Sequence, residues 1–502
     1  MRRSGIIFCV SILALLGCKA DEPTPSLDAG TDVGTDTGTP PPSTCVDPAG
    51  ITYHRDVRPL IVKHCFDCHS PVNGNISAGT TYDWTTWENV YAFRSLIVSD
   101  VSGRVMPPWP MDPDCRTIQN SRALSDADIA TFEAWAENGH CEGEAADYVD
   151  PGWKPVSTDF SDADITTSPA TPWSLPDNIT EEDVFRCYKL TATFAEDTWV
   201  VASATTPDSP LSHHALVYVA MGASEAEVDA KDAKYDGEGW GDCDSGVGIP
   251  SVVLGGWVPG MGKIPYPVDS AYLVPKGSVL LLQMHYSGVG ATPDELSQLT
   301  DQPKIHLWTL PAGEVPKRKV TVKPFSDHSF KVPLGETHVA KKSHPVPANA
   351  EVFAVVSHQH LIGTDTSLTL ERKDGTTACL SNIPKWDFDW QLIYNYAPDD
   401  YVTIEKGDKI TVSCTFPYTE DWVKSQLGAD APDPLPPVLK WGEASYEEMC
   451  ISYVWFVSDW TGSLSVDECV ASCGTGNPDC VIDCFADPDL DSACLLGVIN
   501  SC

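Results

Sequence analysis

Short β-rich runs separated by proline- and glycine-rich loops occupy residues 170–464, and this alternation constrains the fold more than any other feature of the chain. Typical runs are TWVVASATT (198–206), HALVYVAM (214–221) and ISYVWFV (451–457). Many short strands without helical patterns between them predict antiparallel sandwiches. A stretch of about 300 residues is too long for one ordinary sandwich. We therefore expect two antiparallel β-sandwich domains, 170–318 and 319–464, joined near GEVPKRK.

A helical pattern precedes the β-rich region. The segment LSDADIATFEAWAENG (124–139) opens with an N-cap at Ser125, carries its large apolar residues on one face and stops at Gly139. This spacing predicts an amphipathic helix. Together with an apolar helix before residue 65, it predicts a small all-α domain over 50–145, followed by a linker over 146–169.

The helical region contains HCFDCHS (64–70), a Cys-x-x-Cys-His motif. In c-type cytochromes the two cysteines attach haem covalently and the histidine binds the iron. A redox dithiol would need a βαβ setting, and a zinc site would need a second ligand pair at standard spacing; neither pattern is present. The motif therefore predicts one haem c attached covalently through Cys65 and Cys68, with His69 as axial ligand and Met106 of RVMPPWP as distal ligand. This arrangement resembles a class I cytochrome c domain. Alternative axial ligands are Met111, His54 and His64, the two histidines being expected at the surface.

The N-terminus begins with two arginines and a short apolar run that ends in LLGC. The run is too short to span a bilayer and predicts a secretory signal over 1–18. Its ending resembles the lipobox of bacterial lipoproteins, in which Cys18 becomes an acylated N-terminus. Residues 19–49, an acidic stretch rich in Thr, Pro and Gly, predict a flexible tether. We expect a protein of the bacterial cell envelope, held at the outer membrane by lipid alone and facing the periplasm or the surface.

Charge and cysteine content narrow the class further. A formal charge of −39 argues against nucleic acid as a partner. Eighteen cysteines fit an oxidising compartment. Six of them lie in a Cys-rich tail, residues 465–502, where pairs spaced by four predict short helices stapled by disulfides rather than a zinc site. Cys45 and Cys379 have no local partner in the sequence, so we expect them to link domains.

Five histidines and one methionine lie at the ends of β-rich runs. His358 and His360 are two residues apart, so in a strand their side chains point the same way and can chelate one ion. His213 and His214 are adjacent and can share an ion only at a strand end or a β-bulge. Imidazole suits copper and zinc, whereas a thioether favours copper. The set, which favours copper, is His213, His214, His285, His358, His360 and Met449.

Four motifs in order, HHALVYV, QMHYSG, SHQHL and EEMCISY, together with GWVPG (256–260), resemble the copper type II, ascorbate-dependent monooxygenases. That family includes the peptidylglycine α-hydroxylating and dopamine β-monooxygenases. The resemblance implies two jelly-roll-like β domains, each holding one copper ion, on either side of a solvent cleft. It implies that an electron-transfer copper is held by His213, His214 and His285, and an O₂-binding copper by His358, His360 and Met449.

The resemblance also bears on disulfides and on the substrate. It implies the pairs Cys187–Cys243 and Cys414–Cys450. Val356 stands where the peptide-amidating members carry a carboxylate-binding arginine, so a glycine-extended peptide is not expected as substrate. Tyr453 matches a family tyrosine near the substrate, with a packed strand aromatic as the alternative interpretation.

These features predict a copper-dependent monooxygenase that hydroxylates a C–H bond of a small organic molecule with O₂. Electrons from an external donor, ascorbate or a redox protein, would pass one at a time through the haem to the His213/His214/His285 copper. The alternative is a lipid-anchored copper/haem electron-transfer or copper-binding protein without oxygenase activity. Met449 distinguishes the two, because a protein that only stores or relays copper needs no distinct His₂Met oxygen site in this motif order.

Overall fold

The computed structural model describes residues 45–459, with gaps at 71–81, 110, 120, 155–156, 158, 175–182, 210–211, 221–224, 234–238, 242, 244–246, 250, 259–260, 288–299, 347, 389, 429–430 and 443–445. For residues 183, 213, 225 and 287 the backbone alone is described. The predicted lipobox with Cys18, residues 19–44 of the tether and the Cys-rich tail lie outside these ranges. Within them, no helix is long and apolar enough to cross a membrane.

The N-terminal region is helical. It begins with a π-helical turn, Tyr53–Val57, and its helices are α1 (Arg58–His64), α2 (Phe66–His69), α3 (Trp87–Ala92), α4 (Arg94–Ser102) and α5 (Asp126–Glu137). Helix α5 begins at the predicted N-cap: the Ser125 side chain accepts from the Asp128 backbone N–H, and the Asp128 carboxylate accepts from that of Ser125. A disulfide joins Cys45 to Cys141 inside this region. The expectation that Cys45 links two domains is therefore wrong.

Two antiparallel layers build the first sandwich. One is a four-stranded sheet in the order β3-β9-β5-β6, and the other is part of a ten-stranded sheet. A single helix in this part of the described chain, α6 (Glu225–Ala233), follows β5. The strands are β1 (Ile165–Thr167), β2 (Trp173–Ser174), β3 (Asp183–Lys189), β4 (Thr198–Thr206), β5 (Ser212–Ala220), β6 (Ser251–Trp257), β7 (Ile264–Pro265), β8 (Ser270–Val274), β9 (Val279–Ser287), β10 (Thr300–Asp301) and β11 (Lys304–Thr309).

The second sandwich uses a four-stranded sheet in the order β14-β20-β16-β17. Helix α7 (Glu420–Leu427) follows β20. The strands are β12 (Arg318–Ser326), β13 (Lys331–Pro333), β14 (Glu336–Pro345), β15 (Ala350–His358), β16 (Asp365–Glu371), β17 (Thr377–Ile383), β18 (Tyr394–Asn395), β19 (Val402–Ile404), β20 (Lys409–Tyr418), β21 (Val438–Lys440) and β22 (Ile451–Asp459). The predicted predominance of β structure over a few helices is confirmed.

One continuous sheet serves both sandwiches. Its strand order is β1-β11-β4-β8-β12-β22-β15-β18, and the parallel pair β8–β12 joins the two halves. Successive side chains of a strand point to opposite faces. Along β22, Val454 and Phe456 enter the core of the second sandwich, whereas Trp455 and Val457 enter the core of the first. The two sandwiches are therefore tied together by shared strands.

The segment after α4 leaves the helical region and lies on the second sandwich. We call residues 109–119 the strap. Met111 is 1% exposed within the second sandwich's core, and Cys115 forms a disulfide with Cys379 of β17. Met111 is thus a core residue of the β region, and its interpretation as an alternative haem ligand is wrong. The expectation that Cys379 links domains is confirmed.

Candidate metal centres

The first centre lies where β5 and β9 pair. His214 is directly opposite His285 in the antiparallel register, and their Nδ1 atoms are 3.3 Å apart. An imidazole nitrogen lies about 2.0 Å from a bound transition metal ion, so two ligands at a tetrahedral angle are about 3.3 Å apart. The Phe185 ring stacks on His285 with centroids 4.2 Å apart, which fixes the plane of that imidazole. The donor pair therefore fits a metal ion.

A β-bulge occurs at the start of β5. Ser212 pairs with Tyr286 and His214 with His285, so residue 213 is the extra residue on the β5 side. This is the irregularity that two adjacent histidine ligands require, because a regular strand would direct them to opposite faces. The His213 side chain lies outside the described part of the structure, and its assignment as a ligand stays a prediction.

A buried carboxylate that the sequence pattern does not reveal braces the first centre. The Asp301 side chain is fully buried and accepts hydrogen bonds from the backbone N–H of Asp208 (2.8 Å) and Ser209 (3.0 Å). Its other oxygen accepts from the Tyr286 hydroxyl at 2.6 Å. Asp301 thus ties the loop before the histidine pair to the residue after His285. Burial raises the pKa of Asp301, while these donors oppose that shift.

The second centre lies at the end of β15. The Nδ1 atom of His358 is 2.6 Å from Gln391 Oε1, and that of His360 is 3.2 Å from the backbone carbonyl oxygen of Glu447. Since both partners are acceptors, both Nδ1 atoms carry the proton, and the lone pairs lie on Nε2. The two rings are 5.2 Å apart at 80°. Metal-binding histidines are typically oriented by this kind of outer hydrogen bond.

Met449 is placed beside these histidines by β-sheet register. His358 pairs with Ile451, so Met449 lies two residues beyond the paired end of β22. Its side chain is 7% exposed, and the next residue, Cys450, forms a disulfide with Cys414. The other disulfide that the resemblance implies, Cys187–Cys243, is also present. Two imidazoles and a buried thioether form a donor set that suits copper.

Glu448 braces the second centre in the way that Asp301 braces the first. It is fully buried, and its carboxylate accepts from four backbone N–H groups: His360 (2.8 Å), Ile362 (2.7 Å), Gly363 (2.9 Å) and Met449 (3.2 Å). Burial raises the pKa of Glu448 to about 8, although the four donors favour its ionised form. One side chain therefore holds both the loop after the His-x-His pair and the methionine.

The two residues considered for substrate recognition face each other across strands. Val356 pairs with Tyr453, and both contact the core of the first sandwich. Val356 is 8% exposed, whereas Tyr453 is half-buried. A substrate role for Tyr453 stays a prediction.

The Cys-x-x-Cys-His motif spans the end of α1 and the short helix α2. His69 Nδ1 is 3.0 Å from the carbonyl oxygen of Tyr82, which leaves Nε2 as the basic nitrogen. Neither Cys65 nor Cys68 forms a disulfide, and burial raises the pKa of the Cys65 thiol to about 12. A nucleophilic redox dithiol requires a lowered thiol pKa, so this environment argues against that alternative.

The other residues considered as haem ligands have different surroundings. Met106 is half-buried, and its backbone N–H donates to the carbonyl oxygen of Asp100. His54 and His64 are 7% and 6% exposed, so the expectation that they lie at the surface is wrong. The ring of His64 contacts the backbone of Arg122 through Nδ1 at 3.2 Å, a structural contact.

Within the described ranges, no group of three or more His, Cys, Asp or Glu side chains is arranged to hold a metal ion. The second centre is not such a group because its third donor is the thioether of Met449. The first centre is not one because the His213 side chain lies outside the described residues.

Comparison with protein families finds a match in the C-terminal part of the chain. Residues 336–477 match the model of the copper type II ascorbate-dependent monooxygenase, C-terminal domain. The matched range contains every residue of the second centre: His358, His360 and Met449, with the Glu448 brace and the Cys414–Cys450 disulfide. The proteins of that family are, by its description, copper-containing and ascorbate-dependent monooxygenases.

Other comparisons add little. No curated protein matches the chain. Among solved structures, the chain is similar to the VP2 subviral particle of infectious bursal disease virus, at 11% identity and a TM-score of 0.15, covering 60% of this chain and 74% of that one. A T=1 Penaeus vannamei nodavirus structure is similar at 9% identity and a TM-score of 0.14, covering 53% and 83%. Scores this low carry no argument about fold.

Proposed function

We propose that this chain is a copper-dependent monooxygenase that hydroxylates a C–H bond of a small organic substrate with O₂. The observation that carries the proposal is the second centre: two imidazoles with protonated, hydrogen-bonded Nδ1 atoms and a buried thioether, inside a domain that matches the monooxygenase family. His358, His360 and Met449 would hold one copper ion, and His213, His214 and His285 a second. Bound copper supplies one-electron redox chemistry and activates O₂.

The residues around the second centre keep its ligands in place. Gln391 and the Glu447 carbonyl orient the imidazoles, and Glu448 keeps the backbone of the ligand loop in one conformation. The low exposure of His360 and Met449 limits access of bulk water to that side of the site. The chain thus holds these side chains in place through hydrogen bonds and burial before any metal binds.

The proposal includes a haem c attached through Cys65 and Cys68, with His69 and Met106 as axial ligands. The basic His69 Nε2 and the two thiols outside any disulfide support it. Such a haem supplies one-electron transfer. We further propose that electrons from ascorbate or a redox protein pass by this route to the His213/His214/His285 copper, and that Cys18 anchors the protein to the cell envelope by lipid.

The test uses the purified chain loaded with copper. Copper content should approach two ions per chain, and X-ray absorption of the reduced protein should show sulfur scattering that Met449→Leu removes and Met261→Leu retains. Ascorbate-dependent O₂ consumption in a substrate screen should be lost in Met449→Leu. Two bound coppers without substrate-dependent turnover in the wild-type chain would favour the alternative electron-transfer or copper-binding protein, and turnover retained in Met449→Leu with both coppers bound would show that the thioether is not required.

A further inference from the structure

The strap is attached to the second sandwich along its whole described length. The Asp112 backbone N–H donates to the Asn382 carbonyl (2.8 Å), and Arg116 forms an ion pair with Asp400 at 2.7 Å. Further bonds join the strap's C-terminal end to residues 395–397. With the Cys115–Cys379 disulfide, these contacts leave the strap little freedom to move. The strap begins three residues after Met106, so the candidate haem region is held at a defined edge of the β region.

The aromatic contact in this attachment is Trp109 against Tyr394. Their ring centroids are 5.4 Å apart at 86°, an edge-to-face arrangement. Trp109 is half-buried and Tyr394 is 1% exposed. This contact joins the first residue of the strap to the second sandwich.

Tyr394 belongs to a short segment, residues 391–395, that contacts His358 of the second centre and packs on the first sandwich near β5. We call it the junction segment. Gln391 at its start bonds to His358 of the second centre. Ile393 packs against the first sandwich beside Gly256 of β6. The two residues are so close that a Cβ atom at position 256 would be in van der Waals contact with Ile393 Cδ1, at 3.5 Å. Gly256 pairs with Leu216 on β5, two residues after His214. Leu392 and Tyr394 face the second sandwich's core.

We propose that the strap and the junction segment form the electron bridge between the haem region and the copper centres, with Trp109 and Tyr394 as the crossing between them. The inference rests on the proposed function. Each crossing oxidises ferrous haem to ferric haem and reduces one Cu(II) to Cu(I). Two crossings supply the two electrons that, with two protons, balance RH + O₂ to ROH + H₂O. A one-electron donor of the ascorbate class restores ferrous haem.

The test follows haem oxidation in the full chain carrying haem and copper. The protein is reduced without oxygen, mixed rapidly with O₂, and monitored by haem absorption, with a copper-free sample for comparison. Trp109→Leu should slow the copper-dependent phase about tenfold, equivalent to about 1.4 kcal/mol in barrier height. Trp109→Phe, which keeps an aromatic ring, should restore most of the rate. Ile118→Ala loosens the strap by removing a side chain that packs in the second sandwich's core, and it leaves Trp109 and Tyr394 in place.

The outcomes separate the Trp109–Tyr394 crossing from the haem-to-copper relay on which it rests. Slow oxidation in Trp109→Leu alone, with unchanged copper content and haem spectrum, supports the crossing. Equal slowing in Ile118→Ala, or no slowing in Trp109→Leu, overturns it while leaving the relay intact. If the wild-type chain oxidises its haem no faster with copper than without, the relay in the proposed function fails, and the bridge fails with it.

Discussion

Glu448→Ala offers the sharpest test of how the second centre is built. Four backbone N–H groups point at this carboxylate, three of them within 2.9 Å. A buried donor left without its acceptor costs about 1–3 kcal/mol. Loss of the three short bonds should therefore lower the free energy of unfolding by about 3–9 kcal/mol. Because water can enter the vacated space and satisfy some of the N–H groups, we expect a decrease near the lower end, about 3 kcal/mol. Glu448→Gln keeps one acceptor oxygen, so its free energy of unfolding should lie between those of Glu448→Ala and the wild type.

The same substitution should weaken metal binding at the second centre. His360 and Met449 each donate a backbone N–H to Glu448, so their positions depend on it. Loss of an outer-shell partner typically lowers metal affinity by about 10–100-fold. Copper affinity is measured by competition with a chelator, and stability by urea unfolding of the copper-free chain. Copper at the first centre should be unaffected.

Glu447→Ala is the matched control. It removes a carboxyl group one residue earlier from a half-buried side chain, and it leaves in place the backbone carbonyl that orients His360. Equal losses of stability and copper affinity in Glu447→Ala and Glu448→Ala would refute the reasoning, because the loss of any carboxyl group in this loop would then explain both. A loss confined to Glu448→Ala would show that the four N–H bonds matter.

Three further predictions address other parts of the fold. Asp301→Asn should lower copper affinity about tenfold at the first centre and not at the second, as measured by chelator competition, because it weakens the bonds to the loop before β5. Replacing Cys115 and Cys379 by Ser should lower unfolding free energy by about 2–5 kcal/mol in urea titrations, and an unchanged midpoint would contradict the role of the strap. Burial lowers the pKa of His306 below its ordinary value of 6.5. As the pH falls below 6.5, the unfolded chain therefore takes up a proton at this residue before the folded chain does, and the free energy of unfolding should decrease. The decrease should be smaller in His306→Gln, as measured by melting temperature against pH.

The local geometry of the centres could be anticipated from spacing alone. Adjacent histidines at a strand start require an irregularity, and the bulge at residue 213 supplies it. Histidines two apart at a strand end are expected on the same side, as one ion requires, and His358 is the last residue of β15 with His360 two residues beyond it. In both cases the inference depends only on the period of a strand.

The braces could not be anticipated, because their partners are distant in sequence. Glu448 binds N–H groups 85 to 88 residues earlier, and Asp301 binds N–H groups 92 and 93 residues earlier. In the sequence each reads as an ordinary acidic residue of a loop or strand. The strap was hidden for a similar reason: Cys115 and Cys379 are 264 residues apart, and the number of cysteines does not determine their pairing.

Both braces answer the same physical problem. Three ligands cannot converge on one ion from a regular strand, so each centre lies where β-pairing stops or slips. Irregular backbone at such a place leaves N–H groups without β partners, and burying them unpaired is costly. A carboxylate accepts several of these donors at once, as Glu448 accepts four and Asp301 two together with a tyrosine hydroxyl. The irregularity that gathers the ligands is thereby made rigid, so the donor set can be held in place before any metal binds.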